Sequence, residues 1–487
     1  MSTEFSMKTA NEDAVLNTLR QIVGPTNATS HIVDLVAYEK DQNWPFVNPH
    51  LPDYVVKVHN KKEVREIVRF ANRNKIPIVP LAAGINVRGL CIPTQGGIVL
   101  DMRDMNKILE VNTEMMTVTI QPGVTSAQLS AACRKYGVRP ALTSAPDMAS
   151  IFANYLLIGL YHSSSSDGNF HILSMEVVLA SGEILKTGSR GLVGAPGPHA
   201  RGGGPGLTEL FMGSPGSFGV VTEMTAKLYP DPKFNAGVAY GYDEWEPAVE
   251  VSTKLMDARV ATQIDIIDDN LLITFLPTEM VDRMGEEAVR KMLPKVVMIC
   301  TITDTIKERM EVNKKVAQGI CKDVTEGKNF GIASMGGLGE LSSGGRITTG
   351  MLQKGYYHCF AFYAPLNKCI DYRDINYKTA EEHGYSADYD ASLLAIPQAP
   401  WNGQLTYYEL EVLTCDPTDP AQLKQIQGYS EDLVQKILDC GIYGWFRPYA
   451  EVIDVTIDRW GTTGEFIKRL KNLVDPNNIM NPGKFVY

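Results

Sequence analysis

The chain has 487 residues; 46 Lys+Arg stand against 56 Asp+Glu for a formal charge of −10, with 44% apolar and 21% charged residues. That length suits two large domains or about three of roughly 150 residues, and a chain this long buries enough surface to need no staples. The acidic balance leaves no electrostatic footprint for nucleic acid or an anionic membrane, no stretch nears the roughly 18 apolar residues of a bilayer span, and the start MSTEFSMKTANEDAV has no apolar signal core.

In chain order, DYVVKVHN (53–60) alternates as a strand does, and Asn60 with Glu63 three residues on offers a helix cap. Val64, Ile67, Val68 and Ala71 follow at helical spacing, which predicts an amphipathic helix over 61–73. IPIVPL (76–81) is a short buried strand running into AAGINVRG; IVLDM (98–102), ILEVN (108–112) and TVTIQPG (117–123) are strands between polar turns. A helix over 125–136 ends at Gly137, and SMEVVLASGEILKTG (174–188) is a hairpin turning at Ser181-Gly182. SFGVVTEMTAKLYP (217–230) reads as another strand pair, closed by Pro230 and Pro232.

From about 235 to 440, helical patterns at 246–258, 281–292, 303–317, 371–383 and 421–439 alternate with strands at 236–241, 355–364 and 406–414. That order suits a sheet with helices on one face. A last helix, 464–476, stops at Asp475-Pro476 before NNIMNPGKFVY.

The eight cysteines, Cys91, Cys133, Cys300, Cys321, Cys359, Cys369, Cys415 and Cys440, include no C-x-x-C pair. With no signal peptide, reduced thiols in a cytoplasmic compartment are expected. The eight histidines form no H-x-x-x-H or H-x-H cluster, so no metal site is expected.

Chemistry concentrates at AAGINVRG (82–89), where two glycines and several small residues between strands let backbone N–H groups converge on an anion. The spacing is not a Rossmann fingerprint, and no Gly-Lys-Ser/Thr follows to make a P-loop. By itself the loop reads equally as an ordinary glycine-rich turn. A second glycine-rich loop, RGGGPG, lies at 201–206.

The ordered run VPLAAGINVRG, GGIVLDMRDMNKILEVN, VTIQPGVT, SMEVVLASGEILKTG and LFMGSPGSFGVVTEMTAKLYP resembles the FAD-linked enzymes of the vanillyl-alcohol oxidase and 4-cresol dehydrogenase type. The later GYYHCFAFYAP and the ending FIKRLKNLVDPNNIMNPGKF extend the likeness. The resemblance implies an α+β, two-domain molecule. An N-terminal segment (1–47) precedes a p-cresol methylhydroxylase (PCMH)-type FAD-binding domain at 48–234. An α+β cap for substrate (235–440) covers the flavin, and 441–487 returns to the FAD domain.

By the same resemblance, the FAD pyrophosphate rests on the backbone of Ala83, Gly84, Ile85, Asn86 and Val87. A second loop around Pro146, Asp147 and Ala153-Asn154 holds the other side, although Phe152 stands where the family has a glycine. Gly219 and Val221 line the adenine ribose, and Lys484, in NPGK, places a positive charge near the flavin N1–C2=O edge, favouring hydride uptake. Asp167 falls at the position of a family aspartate that faces the flavin and handles a proton; Ser163–Ser166 with Asp-Gly is equally a turn signal.

The substrate side departs from the family. Arg88 or Gly89 stands where the family has its first phenolate-binding tyrosine, and Tyr443-Gly444 replaces a Tyr-Arg pair, with Arg447 nearby. Arg88 and Arg447 suit a carboxylate or an acidic phenol by bidentate pairing. On the strand that carries the family's flavin attachment, Phe360 counts nearest that position. Non-covalent FAD is therefore favoured, with His358 the covalent candidate. Tyr356, Tyr357, Tyr407, Tyr408 and Trp401 either stack on an aromatic substrate or pack in the core.

The expected function is an FAD-dependent oxidoreductase moving a hydride from an aromatic alcohol or alkylphenol-like small molecule to flavin N5. A 2-hydroxy-acid dehydrogenase of the D-lactate or glycolate type is the alternative, and a catalytically silent FAD-binding electron-transfer or scaffold subunit is the alternative of another class. An electron-acceptor protein and a homo-oligomer are the expected partners.

Overall fold

A computed structural model describes residues 10–485, apart from 48, 87, 142–145, 158–170, 196, 203, 325–327, 330–355, 398–404, 442–456 and 458. Its strands form three sheets. In the first, β1 (Ala28–Thr29), β2 (Tyr54–Lys57), β3 (Ile78–Leu81) and β4 (Ile98–Asp101) lie in the order β1-β2-β4-β3, with β4 parallel to both β2 and β3. The helix Lys61–Asn74 makes the crossover because Val64, Ile67, Val68 and Ala71 form one fully buried stripe. Asn60 caps it by accepting from the N–H groups of Lys62 and Glu63, and Lys75, at φ 55, ends it where a glycine is more usual. Between β3 and β4 runs the 82–97 loop. At its end Gly97 has φ +82, and a Cβ there would lie 2.4 Å from the Pro77 carbonyl oxygen, so only glycine lets β4 begin against β3.

The second sheet uses β5 (Ile108–Asn112), β6 (Thr117–Ile120), β7 (Val138–Pro140), β8 (Ile172–Val178), β9 (Ile184–Lys186) and β10 (Val220–Pro230). Its order is β5-β6-β10-β8-β9, with β7 also on β10. The strand pair expected over 217–230 is instead one 11-residue strand. It absorbs the irregularity in its pairing with β8, at Val221/Glu223 and Thr225/Ala226. The β8–β9 hairpin turns as expected, with Gly182 at φ +80. The helix Ser126–Arg134 opens on a reciprocal cap between Thr125 and Gln128.

The third sheet holds β11 (Phe234–Tyr242), β12 (Gln263–Asp268), β13 (Val296–Asp304), β14 (Lys328–Asn329), β15 (Tyr356–Pro365), β16 (Ala391–Pro397) and β17 (Leu405–Cys415). They run in the order β14-β11-β13-β12-β16-β17-β15, antiparallel throughout. Sequence patterning missed β12, β13 and β16. The last two are largely apolar and buried, with little polar alternation to read, whereas β12 carries a readable signal, Gln263 and Asp265 alternating with Ile264 and Ile266. The helix expected at 303–317 accordingly begins later, at Lys307, and runs to Val324. That expected at 281–292 is broken into Thr278–Met284 and Glu286–Arg290 by Gly285 at φ +81. The helices Cys369–Glu382 and Pro420–Cys440 cover one face of β15–β17: Tyr372 sets its ring 4.9 Å from Phe362 and 5.1 Å from Tyr408.

After the helix Thr462–Val474 the chain comes back to the first sheet. Met480 bridges Ile78 in parallel, the Ile78 N–H donates to the Ile479 oxygen at 2.7 Å, and the Asn481 N–H donates to the Ile78 oxygen at 2.8 Å. The buried Lys471 ammonium locks this return, donating to Asp475 Oδ2 at 2.6 Å, Ser217 O at 2.8 Å and Met480 O at 3.0 Å. No helix among the described residues is long and apolar enough to cross a membrane.

Candidate active site

The 82–89 loop leaves β3 beside the returning C-terminus. Gly84 (φ +77) and Gly89 (φ +70) turn it through the left-handed region. Asn86 Oδ1 takes the Arg88 N–H at 2.7 Å. Among the described residues, no hydrogen bond engages the backbone N–H groups of Ala82, Ala83, Gly84 or Ile85. That is a cradle with donors to spare for an anion. Asn481 holds two neighbouring turns, donating from Nδ2 to Leu90 O at 3.1 Å and Pro215 O at 2.6 Å, while its own Oδ1 is buried without a partner among the described residues.

An N-terminal strap crosses the same loop. The Gln42 N–H donates to Asn86 O at 3.3 Å, and Gln427, from the helix Pro420–Cys440, donates to Pro45 O at 2.6 Å. Asp41 sits beneath, its Oδ1 accepting from the Asn43 N–H at 2.8 Å and its Oδ2 buried without a partner among the described residues. Burial pushes this carboxyl up to about 7, against the pull of the Asn43 N–H, the Lys484 ammonium and the Gly89 N–H. Lys484 itself is fully buried. Burial raises the Cys91 thiol to about 12, and the charges of Asp41 and Lys484 act on it in opposite directions. The strap, the loop and the C-terminal lysine therefore share one buried electrostatic environment.

The third sheet supplies the other wall. Alternation along β17 puts Tyr407, Glu409 and Glu411 on one face and Tyr408, Leu410 and Val412 on the other. Tyr408 carries the helices, so the two carboxylates face away from them. β15 sets Tyr363, Ala361 and Cys359 opposite Tyr407, Glu409 and Glu411 in register. Tyr407 donates to Glu409 Oε1 at 2.5 Å, and its ring lies 5.3 Å from that of Tyr363. Burial raises the Glu409 carboxyl, opposed by the Tyr407 hydroxyl and by the Arg88 guanidinium. Burial, with Glu409 alongside, raises Glu411 well above the carboxylate range. Both Glu411 oxygens are buried with no hydrogen-bond partner among the described residues. Arg88, 8% exposed, is thus the cation that the 82–89 loop presents towards this acidic, tyrosine-lined face.

The sequence-derived residues fall into groups. Ala83, Gly84, Ile85, Asn86, Arg88 and Lys484 gather around one loop. Pro146 and Asp147 close a turn that receives the helix Ser126–Arg134, Pro146 O accepting from the Ala149 N–H at 2.8 Å and Asp147 O from the Ala127 N–H at 3.0 Å. Asn154 lies in the short helix Ile151–Leu156, its Oδ1 buried without a partner among the described residues, and Phe152 fills the core. Gly219 has φ +157, and a Cβ there would lie 2.7 Å from Val177, so strand packing alone already requires this glycine; Val221 is buried next to it. Asp167, Tyr443, Arg447, Val87 and Trp401 lie outside the described residues.

His358, the candidate for covalent attachment, is fully buried on β15. Its ring is on the helix-covered face, 4.2 Å from Phe46 and edge-on to Tyr429 at 6.1 Å, and burial pushes it down to about 3. Asp41, Glu409 and Glu411 were missed by the sequence reading. The signal for the last two was present in YYELEVL, where acids alternate with apolar residues in a strand flanked by strands.

These features fit FAD. Spare backbone donors suit a pyrophosphate, and buried acceptors on Asp41, Asn154 and Asn481 suit hydroxyl and ring N–H groups. Comparison with known proteins agrees. Residues 52–188 match the family model described as FAD binding domain. The chain is 25% identical over 491 residues to the glycolate oxidase subunit GlcD of Bacillus subtilis (strain 168), covering 96% of this chain and 95% of that protein. It is 24% identical over 501 residues to the 4-cresol dehydrogenase [hydroxylating] flavoprotein subunit of Pseudomonas putida, covering 96% and 94%. The crystal structure of p-cresol methylhydroxylase with substrate bound superposes with a TM-score of 0.85 at 20% identity, covering 98% of this chain and 97% of that one.

Proposed function

We propose, from the premise that this chain is an FAD-dependent oxidoreductase with the PCMH-type FAD-binding fold, that it oxidises an uncharged hydroxylated aromatic substrate. The substrate would lie between the 82–89 loop and the Tyr407/Glu409/Glu411 face, under a lid formed by 235–440. Bound FAD supplies a two-electron acceptor for the hydride leaving the carbinol or benzylic carbon.

The observation that carries this reading is the character of that face. Tyr363 and Tyr407 offer rings, while Glu411 offers buried oxygens that lack N–H or hydroxyl donors among the described residues. An alcohol or phenol O–H can donate to such oxygens, whereas an ionised acid would add a further negative charge in a dry site. Arg88 offsets one charge and orients the polar end of the substrate. Asp167 would take the hydroxyl proton and Lys484 stabilise negative charge at the cofactor site, with Tyr443 and Arg447 the further substrate contacts that the family resemblance implies.

Arg88 also motivates a second reading. Its guanidinium suits a carboxylate, and the Bacillus relative carries the name glycolate oxidase. Anaerobic titration of the purified protein with benzylic alcohols, alkylphenols, glycolate and D-lactate separates the two. The aromatic substrates should bleach the flavin band; bleaching by the hydroxy acids alone would overturn the first reading in favour of the second.

A further inference from the structure

We propose that Cys359, Glu409 and Glu411 form a binding site for a divalent first-row transition ion, best suited to zinc, on the inner face of the third sheet. Their Sγ and carboxylate oxygens all lie within 4.8 Å of one another. The register explains the convergence: Cys359 is opposite Glu411 across the β15–β17 pair, and Glu409 is two residues along the same face.

Two acids and a thiol could gather on a surface without meaning, but here Glu411 is buried and Cys359 and Glu409 are half-buried. Glu411 is fully buried, and neither of its oxygens meets an N–H or hydroxyl donor among the described residues; its carboxyl lies against that of Glu409. Glu409 already has Tyr407 and the nearby positive charge of Arg88, so the unmet demand is Glu411's. A buried carboxylate beside a half-buried one is stable only with a shared proton or a cation between them. A thiol on the adjacent strand, poised at the same point, favours the cation. Zinc takes thiolate at about 2.3 Å and carboxylate at about 2.0–2.2 Å, so the donors need to draw in by roughly an ångström, a side-chain adjustment.

Binding displaces the thiol proton and any proton shared by the carboxyls, and three protein donors leave a fourth position open. With three anionic ligands the zinc assembly keeps a net charge of −1, so the preference for an uncharged alcohol stands. With zinc bound, the alcohol oxygen would meet the ion in the open position rather than donate to Glu411, and the ion would acidify it. That last role rests on the function proposed above; the site itself does not.

The test uses the FAD-loaded protein, stripped with a chelator, dialysed against zinc and assayed by elemental analysis and zinc X-ray absorption. One zinc per chain with a single sulfur in its shell is expected. Cys359→Ser and Glu411→Gln should each weaken zinc binding by at least ~100-fold, more than a lost outer-shell contact usually costs, with flavin content and thermal midpoint retained. If Glu411→Gln does not fold, Cys359→Ser decides. No stoichiometric zinc, a shell without sulfur, or equal loading of wild type and Cys359→Ser would overturn the site and leave a proton-sharing carboxyl pair. Zinc uptake is read without turnover, so its failure and the failure of the substrate reading are separate results.

Discussion

Asp265 is buried on β12, and both of its oxygens are met by one Gln263 amide nitrogen at 2.8 Å. Burial raises its carboxyl to about 7 and that of Asp268 to about 6. A folded value above the unfolded one means that the native state holds the proton more tightly. Stability is therefore greatest below pH ~4 for these groups, falls as pH rises towards about 7, and is level beyond. Asp265→Asn should leave stability at pH 4 nearly unchanged and raise it at pH 8 by on the order of 3 kcal/mol; urea unfolding at the two pH values checks this, and an equal effect at both would contradict it. At the proposed site, Asp167→Asn should keep FAD bound and slow flavin reduction by about 10²-fold, the range for a lost acid or base. A variant half-reaction at the wild-type rate would show that Asp167 only closes the serine-rich turn. Arg88 and Lys484 were legible because each sits inside a short motif. Glu409 and Glu411 were passed over although YYELEVL shows acids alternating with apolar residues; what the sequence does not show is that Cys359 and Arg88, distant in the chain, lie near them.

Elements with a polar face were readable, and those without one were not. The helix Lys61–Asn74 shows its apolar stripe and its cap directly in sequence, and its observed limits differ from the expected ones by one residue. By contrast β13 and β16 are covered on both sides, so their mostly apolar runs carry little period. β12 is the exception, missed for its shortness although Gln263 and Asp265 alternate with isoleucines. Two element-level features should prove costly to change. Gly97→Ala forces a Cβ against the Pro77 oxygen at positive φ and should lower stability by about 2–3 kcal/mol, measurable as a reduced unfolding midpoint. Lys471→Met leaves the Asp475 carboxylate buried beside only the Ile479 and Met480 N–H groups. A loss of about 3–5 kcal/mol is expected. Because Lys471 also ties down Met480, next to Asn481 and Lys484, FAD retention should fall along with the midpoint; a destabilised variant that still holds stoichiometric FAD would detach the C-terminal return from the cofactor site.

Across the whole molecule, the first sheet, the N-terminal strap, the C-terminal return and the helix Pro420–Cys440 meet through contacts that are far apart in sequence: Ile78 with Met480, Asn86 with Gln42, Pro45 with Gln427. The family resemblance foresaw the fold and the cofactor, while the substrate wall depends on packing that no motif encodes. FAD bound only to the native state should stabilise it by about 2.7 kcal/mol at a hundredfold excess over Kd. The central claim is that a substrate carbon gives a hydride to the flavin held by the 82–89 loop. Its most direct measurement is anaerobic stopped-flow reduction by a benzylic alcohol carrying either hydrogen or deuterium on the carbinol carbon. The account predicts single-turnover bleaching of the flavin band that slows markedly with deuterium; a flavin that no aromatic alcohol reduces, while dithionite reduces it fully, would contradict it.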